Sequence, residues 1–564
     1  MKTSDYIVEY LIDRGITDVF GYPGGMVTHL MDSFSRYQSQ ITAHVTYHEQ
    51  GAAMAACGYA QVSGKTGVAY ATSGPGATNL ITGIANAYMD SIPTLFITGQ
   101  VNSYEQKYEL RVRQKGFQET DIVSMVKPIT KFATQINDAT KIKYYLDKAF
   151  FIANHGRKGP VLLDVAMDVT RTDINTDELE GYFHIKKNKI KVEVSHLIPI
   201  IQRAKRPVIL IGNGLDRRSK EWKDAINKLC IPVVSSMIAV DIQEGLDYFY
   251  GFIGAYGNRT ANFVVAKSDL IISIGSRLDI RQVGAKRENF AKKATLIRVD
   301  IDEGELDYKV HDDEIDILAD AGEFIGEILN NWPILDYSSW IDICNTLKDT
   351  LAEYDDRSYN RIIRKISTLI PEGTVITTDV GQNQVWVAQS FVVKKEDRIL
   401  FSGGHGAMGY SLPASIGAAI ASKKMVYCFN GDGGIQMNIQ ELQLVVREQL
   451  PIKIILFNNN SLGMIRHFQE MYFSGNYFQT TQVGGFTSPD FKRLADAYQI
   501  DYHIVNCEKD IDYLKDIFTN EKPTLIEVKL NENTYVFPKL EYGKPNQDQE
   551  PLLDRKLFNE LMKL

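Results

Sequence analysis

The chain has 564 residues, 44% of them hydrophobic and 23% charged, with 42 Gly against 17 Pro, the make-up of a globular protein of several domains. Its 70 acidic and 62 basic residues give a net charge of −8, which leaves no spare positive field for a nucleic-acid backbone. The five cysteines (Cys57, Cys230, Cys344, Cys428 and Cys507) are odd in number and never spaced as CxxC. That argues against a disulfide framework or structural zinc site and predicts a reducing, cytoplasmic setting.

The N-terminus, MKTSDYIVEYLIDRG, carries Asp5, Glu9 and Asp13 inside its apolar pattern, which a signal-peptide core does not tolerate. Nowhere does an apolar run reach the roughly 18 residues that span a bilayer. A soluble protein with no membrane partner is expected. Short apolar runs ending in Gly or Asn then alternate with longer helical patterns, the signature of parallel α/β sheets. The clearest predicted strands are 94–99 (TLFITG), 207–212 (PVILIG), 269–275 (DLIISIG), 295–300 (TLIRVD), 425–432 (MVYCFNGD) and 452–459 (IKIILFNN). Polar stretches at 171–195 and 333–372, the second mostly helical, interrupt the rhythm. They predict three doubly wound parallel-sheet units, at 1–170, 190–332 and 365–534. A tail follows, 535–564, whose Pro and Gly up to 555 favour an extended or turning path.

In the first unit, His48-Glu49-Gln50-Gly51 opens a helix crowded with Ala52, Ala53, Ala55, Ala56, Gly58 and Ala60, small residues that allow close packing. A carboxylate there suits the helix macrodipole whatever else it does. Residues 72–79 (TSGPGATN) form a Gly-rich loop between a predicted strand and helix. In the middle unit, Gly212-Asn213-Gly214 begins a dinucleotide fingerprint, but Arg217 stands where its third Gly belongs, which weakens a nicotinamide-dehydrogenase reading. In the third unit, the strand at 425–429 runs into Asn430-Gly431-Asp432-Gly433-Gly434, followed by a helical pattern with Ile435, Ile439, Leu442 and Val446 on one face. Such a turn aims backbone N–H groups and a helix N-terminus at one spot, which suits a diphosphate. The strand at 452–457 ends in Asn458-Asn459-Asn460, and a right-handed crossover brings Asp432 and Asn459 to one sheet edge. A carboxylate and an amide oxygen converging there form a partial shell for Mg²⁺.

The GDG turn with the second Asn of NN 27 residues after its Asp (432 to 459), joined to His48-Glu49 and TSGPGATN, resembles the thiamine diphosphate-dependent enzymes. The likeness covers nearly the whole chain. DSIPTLFITGQV (90–101), FQET (117–120), GRKGPVLLDV (156–165) and SLGMI (461–465) are most similar to the acetolactate synthase branch of that family. The resemblance implies a pyrimidine-binding, a middle and a diphosphate-binding domain in that order. It implies Mg²⁺ on Asp432, Asn459 and the backbone carbonyl of Ser461, with Gly431, Gly433, Gly434, Gly463 and Met464 around the diphosphate. Glu49 would face the pyrimidine ring and supply a proton to its far nitrogen, with Tyr22, Pro23, Gly24, Thr72, Pro75 and Asn79 lining that half. In 403–418 (GGHGAMGYSLPASIGA), Met408 would be the wedge beneath the bent coenzyme and the Gly406 carbonyl would accept from its amino group.

In this family the two halves of a site come from different chains, so a homodimer or homotetramer is implied. The branch binds FAD in its middle domain, where 254–259 (GAYGNR), 275–284 (GSRLDIRQVG) and 298–302 (RVDID) match, with Arg277 and Arg281 beside the flavin; related middle domains hold ADP or nothing. The implied activity is decarboxylation of pyruvate and transfer of its two-carbon hydroxyethyl unit to a second carbonyl substrate. Gln118 would position the acceptor, Phe117, Met167 and Phe468 would line the substrate pocket, and the tail around 535–555 would cover the site as a lid.

Three departures bear on the acceptor. The chain has Ala166-Met167-Asp168-Val169 where the branch has Pro-Lys-Asp-Val, and Phe468 where it has Trp. The segment between Gln100 and FQET is longer than usual by about six residues and basic, with Lys107, Arg111, Arg113 and Lys115. A solvated loop is one reading; recognition of an anionic acceptor larger than pyruvate is the other. The second reading resembles the branch member that makes yersiniose, whose acceptor is a nucleotide-linked keto-deoxysugar. A simple decarboxylase fits less well, because those enzymes commonly use adjacent histidines and this chain has none. A flavin-using pyruvate oxidase stays open at this level. A catalytically silent binding protein is disfavoured by the presence of Glu49, Asp432 and Asn459 together.

Overall fold

The computed structural model describes residues 1–184, 192–216 and 220–564; Arg217 and the middle of the 171–195 boundary lie outside the described residues. The apolar runs form strands buried on both faces, which is why they read as continuous rather than alternating patterns. The first sheet holds β1 (Asp18–Gly21), β2 (Thr42–Val45), β3 (Gly67–Ala71), β4 (Thr94–Gln100), β5 (Phe132–Ile136) and β6 (Val161–Ala166). The second holds β7 (Pro207–Ile211), β8 (Val233–Ser235), β9 (Phe249–Phe252), β10 (Leu270–Ile274), β11 (Thr295–Asp300) and β12 (Ile315–Leu318). The third holds β13 (Val375–Thr378), β14 (Arg398–Leu400), β15 (Val426–Gly431), β16 (Ile452–Asn458), β17 (Asp501–Val505) and β18 (Thr524–Lys529). Each of the strands expected from sequence is present to within one residue at either end.

Each of the three sheets is six-stranded and parallel in its ladders. The first and third share one winding, β2-β1-β3-β4-β6-β5 and β14-β13-β15-β16-β18-β17. The middle sheet runs β12-β11-β10-β7-β8-β9, with its first strand at the centre, the order of a nucleotide-binding doubly wound sheet. Its strand order reverses between β7 and β10, where such sheets leave a crevice.

The first and third units are joined through two helices, Glu49–Ser63 and Ser411–Ser422. A Cβ added at Gly58 would stand 2.1 Å from the Ala414 carbonyl oxygen, and one at Gly417 would stand 1.9 Å from that of Ala55. Backbone therefore meets backbone in both directions, and only glycine fits either position. The close packing expected from the small residues is this contact.

The tail takes a defined course along the middle unit. Leu540 N donates to Ala255 O at 2.7 Å, Gln549 Nε2 donates to Gly257 O at 3.0 Å, and the buried Arg259 guanidinium reaches Gln549 O and Pro551 O. The terminal helix Arg555–Lys563 then packs Phe558 edge-on to Phe263, ring centres 5.6 Å apart. Residues 535–564 strap the third unit onto the middle one, because each of these buried polar groups finds its partner there.

A second tie between the first and third units is ionic. Buried His44 on β2 meets Glu448 through Nδ1 at 2.7 Å and Asp18 through Nε2 at 2.9 Å. Burial works against its charge, but the two carboxylates outweigh it and hold the imidazole pKa up at about 9 against an ordinary 6.5. A folded pKa above the unfolded one gives stability that is complete below pH 6.5 and is lost as pH rises through 9. The expected size is about 3 kcal/mol. The gap in thermal unfolding midpoint between wild type and His44→Gln should be widest near pH 6 and should close towards pH 9; a gap independent of pH contradicts the ionic assignment.

Candidate active site

β15 delivers the glycine turn and β16 lies beside it, with Gly431 in register with Phe457. Asp432 N donates to Phe457 O at 3.2 Å, which places the carboxylate at the end of both strands. Its Oδ1 accepts from Gly433 N at 3.0 Å, and its Oδ2 accepts from Ser461 N at 3.2 Å and Ser488 Oγ at 3.0 Å. Burial pushes its pKa up to about 6 in spite of these donors. Asn459 is brought to the same edge, its Nδ2 bonded to Gln382 Oε1 at 2.9 Å. Gln382 also donates to Thr534 O at 2.6 Å, and a Cβ at Gly463 would lie 2.0 Å from its Oε1. One glutamine thus fixes Asn459, the start of the helix Gly463–Tyr472 that carries Met464, and the root of the tail.

The glycines of the turn are there for want of space. A Cβ at Gly434 would come within 2.5 Å of Asp379 Oδ1, and one at Gly433 within 2.6 Å of Leu462. The Oδ1 of Asn430 is buried and has no protein partner. The single helix expected after the turn is instead a 3-10 stretch, Ile435–Glu441, broken at Asn438 and followed by the helix Leu442–Arg447. The break has a cause: Asn438 Nδ2 donates to Gly409 O at 2.8 Å and its Oδ1 accepts from Gln50 Nε2 at 3.4 Å.

The segment around Gly406 and Met408 is held from below by Asp379, which sequence reading missed. Its buried carboxylate accepts from Gly409 N at 3.0 Å and Ser411 N at 3.1 Å, and burial lifts its pKa to about 7. Gly406 has φ +69, and the Met408 Cε lies 3.5 Å from where a Gly433 Cβ would be. Met408 and the glycine turn therefore face one space.

In the first unit, His48 caps its helix by accepting from Gln50 N at 3.1 Å through Nδ1, and Glu49 is 7% exposed. Glu49 Oε2 accepts from Asn79 Nδ2 at 2.9 Å. Pro75 and Asn79 bound one short helix, and a Cβ at Gly76 would lie 3.1 Å from Glu49 Oε1 and 2.8 Å from Thr72. Gly24 packs on Thr72, whose Oγ1 accepts from Met26 N at 3.1 Å, whereas Tyr22 and Pro23 are exposed beside it. The Oγ of Ser73 is buried and unpartnered. Gln118, at φ +66, packs on Gly74. Phe117 is exposed, and Met167 opens a short helix whose Asp168 accepts from Ser103 N at 2.9 Å. Phe468 stands exposed on the third unit beside Tyr472, ring centres 4.7 Å apart.

Glu441 is a second residue without a local sequence signal. It is fully buried, accepts from Tyr47 N at 3.0 Å, and lies where a Cβ on Gly51 would meet its Oε1 at 2.5 Å. Burial is the main cause that raises its pKa to about 7, and the charge of Glu49 acts in the same direction. Among the described residues, no hydrogen bond joins Glu49 or Asn79 to residues 406–408, 431–434 or 459–461. The chain presents two half-sites.

The crevice of the middle sheet is a cavity of about 570 Å³ lined by Gly214, Ser236, Ala255, Gly275, Arg277 and Arg281, with the first and third units closing its far side. A Cβ at Gly212 would lie 2.1 Å from Gly275 O, so the two strand ends meet there. Ser236 Oγ is buried without a hydrogen-bond partner, and Arg277 Nε lies 3.5 Å from Glu305 Oε1. Arg298, in the matching RVDID stretch, is instead buried against Glu314 at 2.8 Å and has a structural role.

Two glycine-rich half-sites on like-wound sheets, with a doubly wound middle sheet between them in the chain, define an α/β coenzyme enzyme of three domains. Family models for the N-terminal, central and C-terminal domains of thiamine pyrophosphate enzymes match residues 1–125, 194–328 and 379–528. The chain is 34% identical to the acetolactate synthase isozyme 2 large subunit of Escherichia coli, over 97% of this chain and 99% of that one. It is 36% identical to the acetolactate synthase large subunit of Lactococcus lactis, over 96% and 94%. The chain belongs to the thiamine pyrophosphate enzyme family, in its acetolactate synthase large-subunit branch. Among the described residues no helix is long and apolar enough to cross a membrane.

Asp379 gives a direct check of the frame. Asp379→Asn puts an amide N–H₂ against one of the two backbone donors and should cost about 1–3 kcal/mol. The measurement is the urea midpoint of the variant against wild type; an unchanged midpoint would show that the carboxylate does not hold the segment.

Proposed function

We propose that the protein is a thiamine diphosphate- and Mg²⁺-dependent carboligase that decarboxylates pyruvate and transfers the two-carbon unit to a second carbonyl compound, a reading that its likeness to acetolactate synthase large subunits supports. Residues 1–170, 190–332 and 365–534 serve as pyrimidine-binding, middle and diphosphate-binding domains. The observation that carries the reading is the pairing of Asp432 with Ser461 N beside Asn459 at the ends of β15 and β16. The residues fit the coenzyme: Asn430 Oδ1 is a buried acceptor in need of a donor, Ser73 Oγ is buried and unpartnered, and Gly433 and Gly434 admit no side chain. Asp432, Asn459 and the Ser461 carbonyl would hold Mg²⁺, which relieves the burial of the Asp432 carboxylate. When bound, the coenzyme supplies a carbon nucleophile for the ketone of pyruvate and takes up the charge left as CO₂ departs.

The remaining work belongs to the protein. Glu49, buried and steered by Asn79, holds the proton that the pyrimidine ring must receive, and the Gly406 carbonyl accepts from the amino group of that ring. Met408 fills the space before Gly433, where it would support the bound coenzyme. Gln118, on the Gly74 loop, orients the acceptor in a pocket that also uses Phe117, Met167 and Phe468. The half-sites are bonded to separate partners within one chain, which supports a homodimer or larger homo-oligomer that joins Glu49 of one copy to Asp432 of the next. FAD is the proposed occupant of the 570 Å³ cavity, with Arg277 and Arg281 on it; the unpartnered Ser236 Oγ fits a polar ligand. The proposed location is the cytoplasm.

One observation favours a second acceptor, a nucleotide-linked keto-deoxysugar. The inserted loop is a built feature, since the Glu119 carboxylate accepts from Lys107 N, Lys115 N and Gly116 N. Lys107 Nζ and Lys115 Nζ are spent on the carbonyls of Arg113 and Tyr104. Arg111 and Arg113 are left exposed, as are Tyr104 and Tyr108 of the same loop, residue types suited to phosphate and base.

The protein is incubated with thiamine diphosphate, Mg²⁺ and pyruvate, alone and with a nucleotide-linked 4-keto-deoxysugar. Acetolactate from pyruvate alone supports the first reading; product only with the sugar supports the second; neither product refutes carboligation. Glu49→Gln should slow turnover by at least about 100-fold while calorimetry still detects coenzyme binding.

A further inference from the structure

Asp90 follows the helix Ile81–Met89, and its carboxylate is 6% exposed. The two oxygens accept separately, Oδ2 from Gly403 N at 3.0 Å and Oδ1 from Gly404 N at 2.7 Å. From the same helix, Asn86 Oδ1 accepts from Ser402 Oγ at 2.5 Å, and Ser402 Oγ accepts from Ala407 N at 3.0 Å. One helix end thus holds both sides of the short segment that presents Gly406 and Met408. The segment has little lateral room, because a Cβ at Gly403 would stand 2.4 Å from Ile238 and one at Gly404 2.8 Å from Met89.

The other side of this contact is the middle-unit cavity. Met89, Asp90, Gly403, Gly404 and Arg277 all line it. Burial pushes the Asp90 pKa up to about 6, against its two backbone donors and the more distant charges of Arg277 and Arg157. Those two cations lean the other way as well, towards Glu305, with Arg277 Nε at 3.5 Å from its Oε1. An occupant of the cavity would bear on Gly403 and Gly404 directly and on Asp90 through Arg277, while Gly404 and His405 are otherwise open to solvent.

We propose that Asp90 is a positioning residue that couples the two ligand sites, so that an adenine nucleotide diphosphate in the middle-unit cavity tightens thiamine diphosphate binding by fixing the 402–408 segment. The inference rests on the coenzyme reading above. Its physical basis is ordering: a first ligand that immobilises the segment removes that cost for the second, and the coupling is reciprocal.

The test is calorimetric and does not use turnover. The whole protein, stripped of small molecules, is titrated with thiamine diphosphate and Mg²⁺ in the absence and presence of saturating FAD, and in a parallel arm ADP. Tightening of the thiamine diphosphate Kd by at least about fivefold in either arm is expected for wild type. In Asp90→Ala it should fall below about twofold although the nucleotide still binds. Asp90→Asn, which keeps the volume and one acceptor, should retain a reduced tightening and serves where the alanine variant does not fold. Wild-type binding of both ligands without coupling, or full coupling in both variants, overturns the proposal. Absence of any thiamine diphosphate binding by wild type overturns the coenzyme reading itself, so the two failures are distinct.

Discussion

The contact on which the rest of the molecule depends is the reciprocal seating of Gly58 on Ala414 and Gly417 on Ala55. Two helices meet backbone to backbone there, with Ala52, Ala56, Ala418 and Ala419 buried in the same core. The approach sets the position of everything carried at the helix starts. Glu49 begins one helix and Ser411 the other, so the distance between the pyrimidine half and the wedge segment is fixed by packing that no longer side chain tolerates. Even one methyl group at either glycine would force backbone apart.

Around this contact, three buried carboxylates serve as fixed acceptors for backbone N–H groups. Asp379 holds Gly409 and Ser411, Glu441 holds Tyr47, and Asp90 holds Gly403 and Gly404. Burying a charge is costly, and the pKa values of all three rise as a result, to about 7, 7 and 6. The compensation is geometric: irregular loops, which have no ladder partners, gain a rigid anchor at each end. The loops that border the candidate coenzyme space are therefore ordered from behind, by side chains that need not touch a ligand.

The sequence made the strands and the glycine turn legible because their causes are local. A strand covered on both faces must be apolar along its length, and Gly433 and Gly434 are required by neighbours that any such turn packs against. Asp379, Glu441 and Asp90 were not legible, because each is defined by a partner loop 30 to more than 300 residues away. The break at Asn438 was hidden for the same reason: Ile435 and Leu442 keep a helical spacing, while the side chain that interrupts it bonds to Gly409 and Gln50. The RVDID stretch was read with the middle-unit cavity on position alone, and the buried pairing of its Arg298 with Glu314 sets that side chain apart from Arg277. The attachment of the tail to the middle unit was not legible, because an irregular path rich in Pro and Gly says nothing about which surface receives it.

That path has a consequence for how the units act together. Gln382 joins Asn459 to Thr534, and from Tyr535, stacked on His467 with ring centres 4.3 Å apart, the chain runs to Ala255 at the cavity wall. A displacement of the middle unit would therefore pull on the strand end that carries Asn459, and would press on Gly403 through Ile238. The middle unit is tied to the third elsewhere too, through Ile399 N on Asp241 and Gln389 Nε2 on Tyr256 O. A unit tied in this way does more than hold a ligand of its own, since its position is part of what defines the half-site beside it.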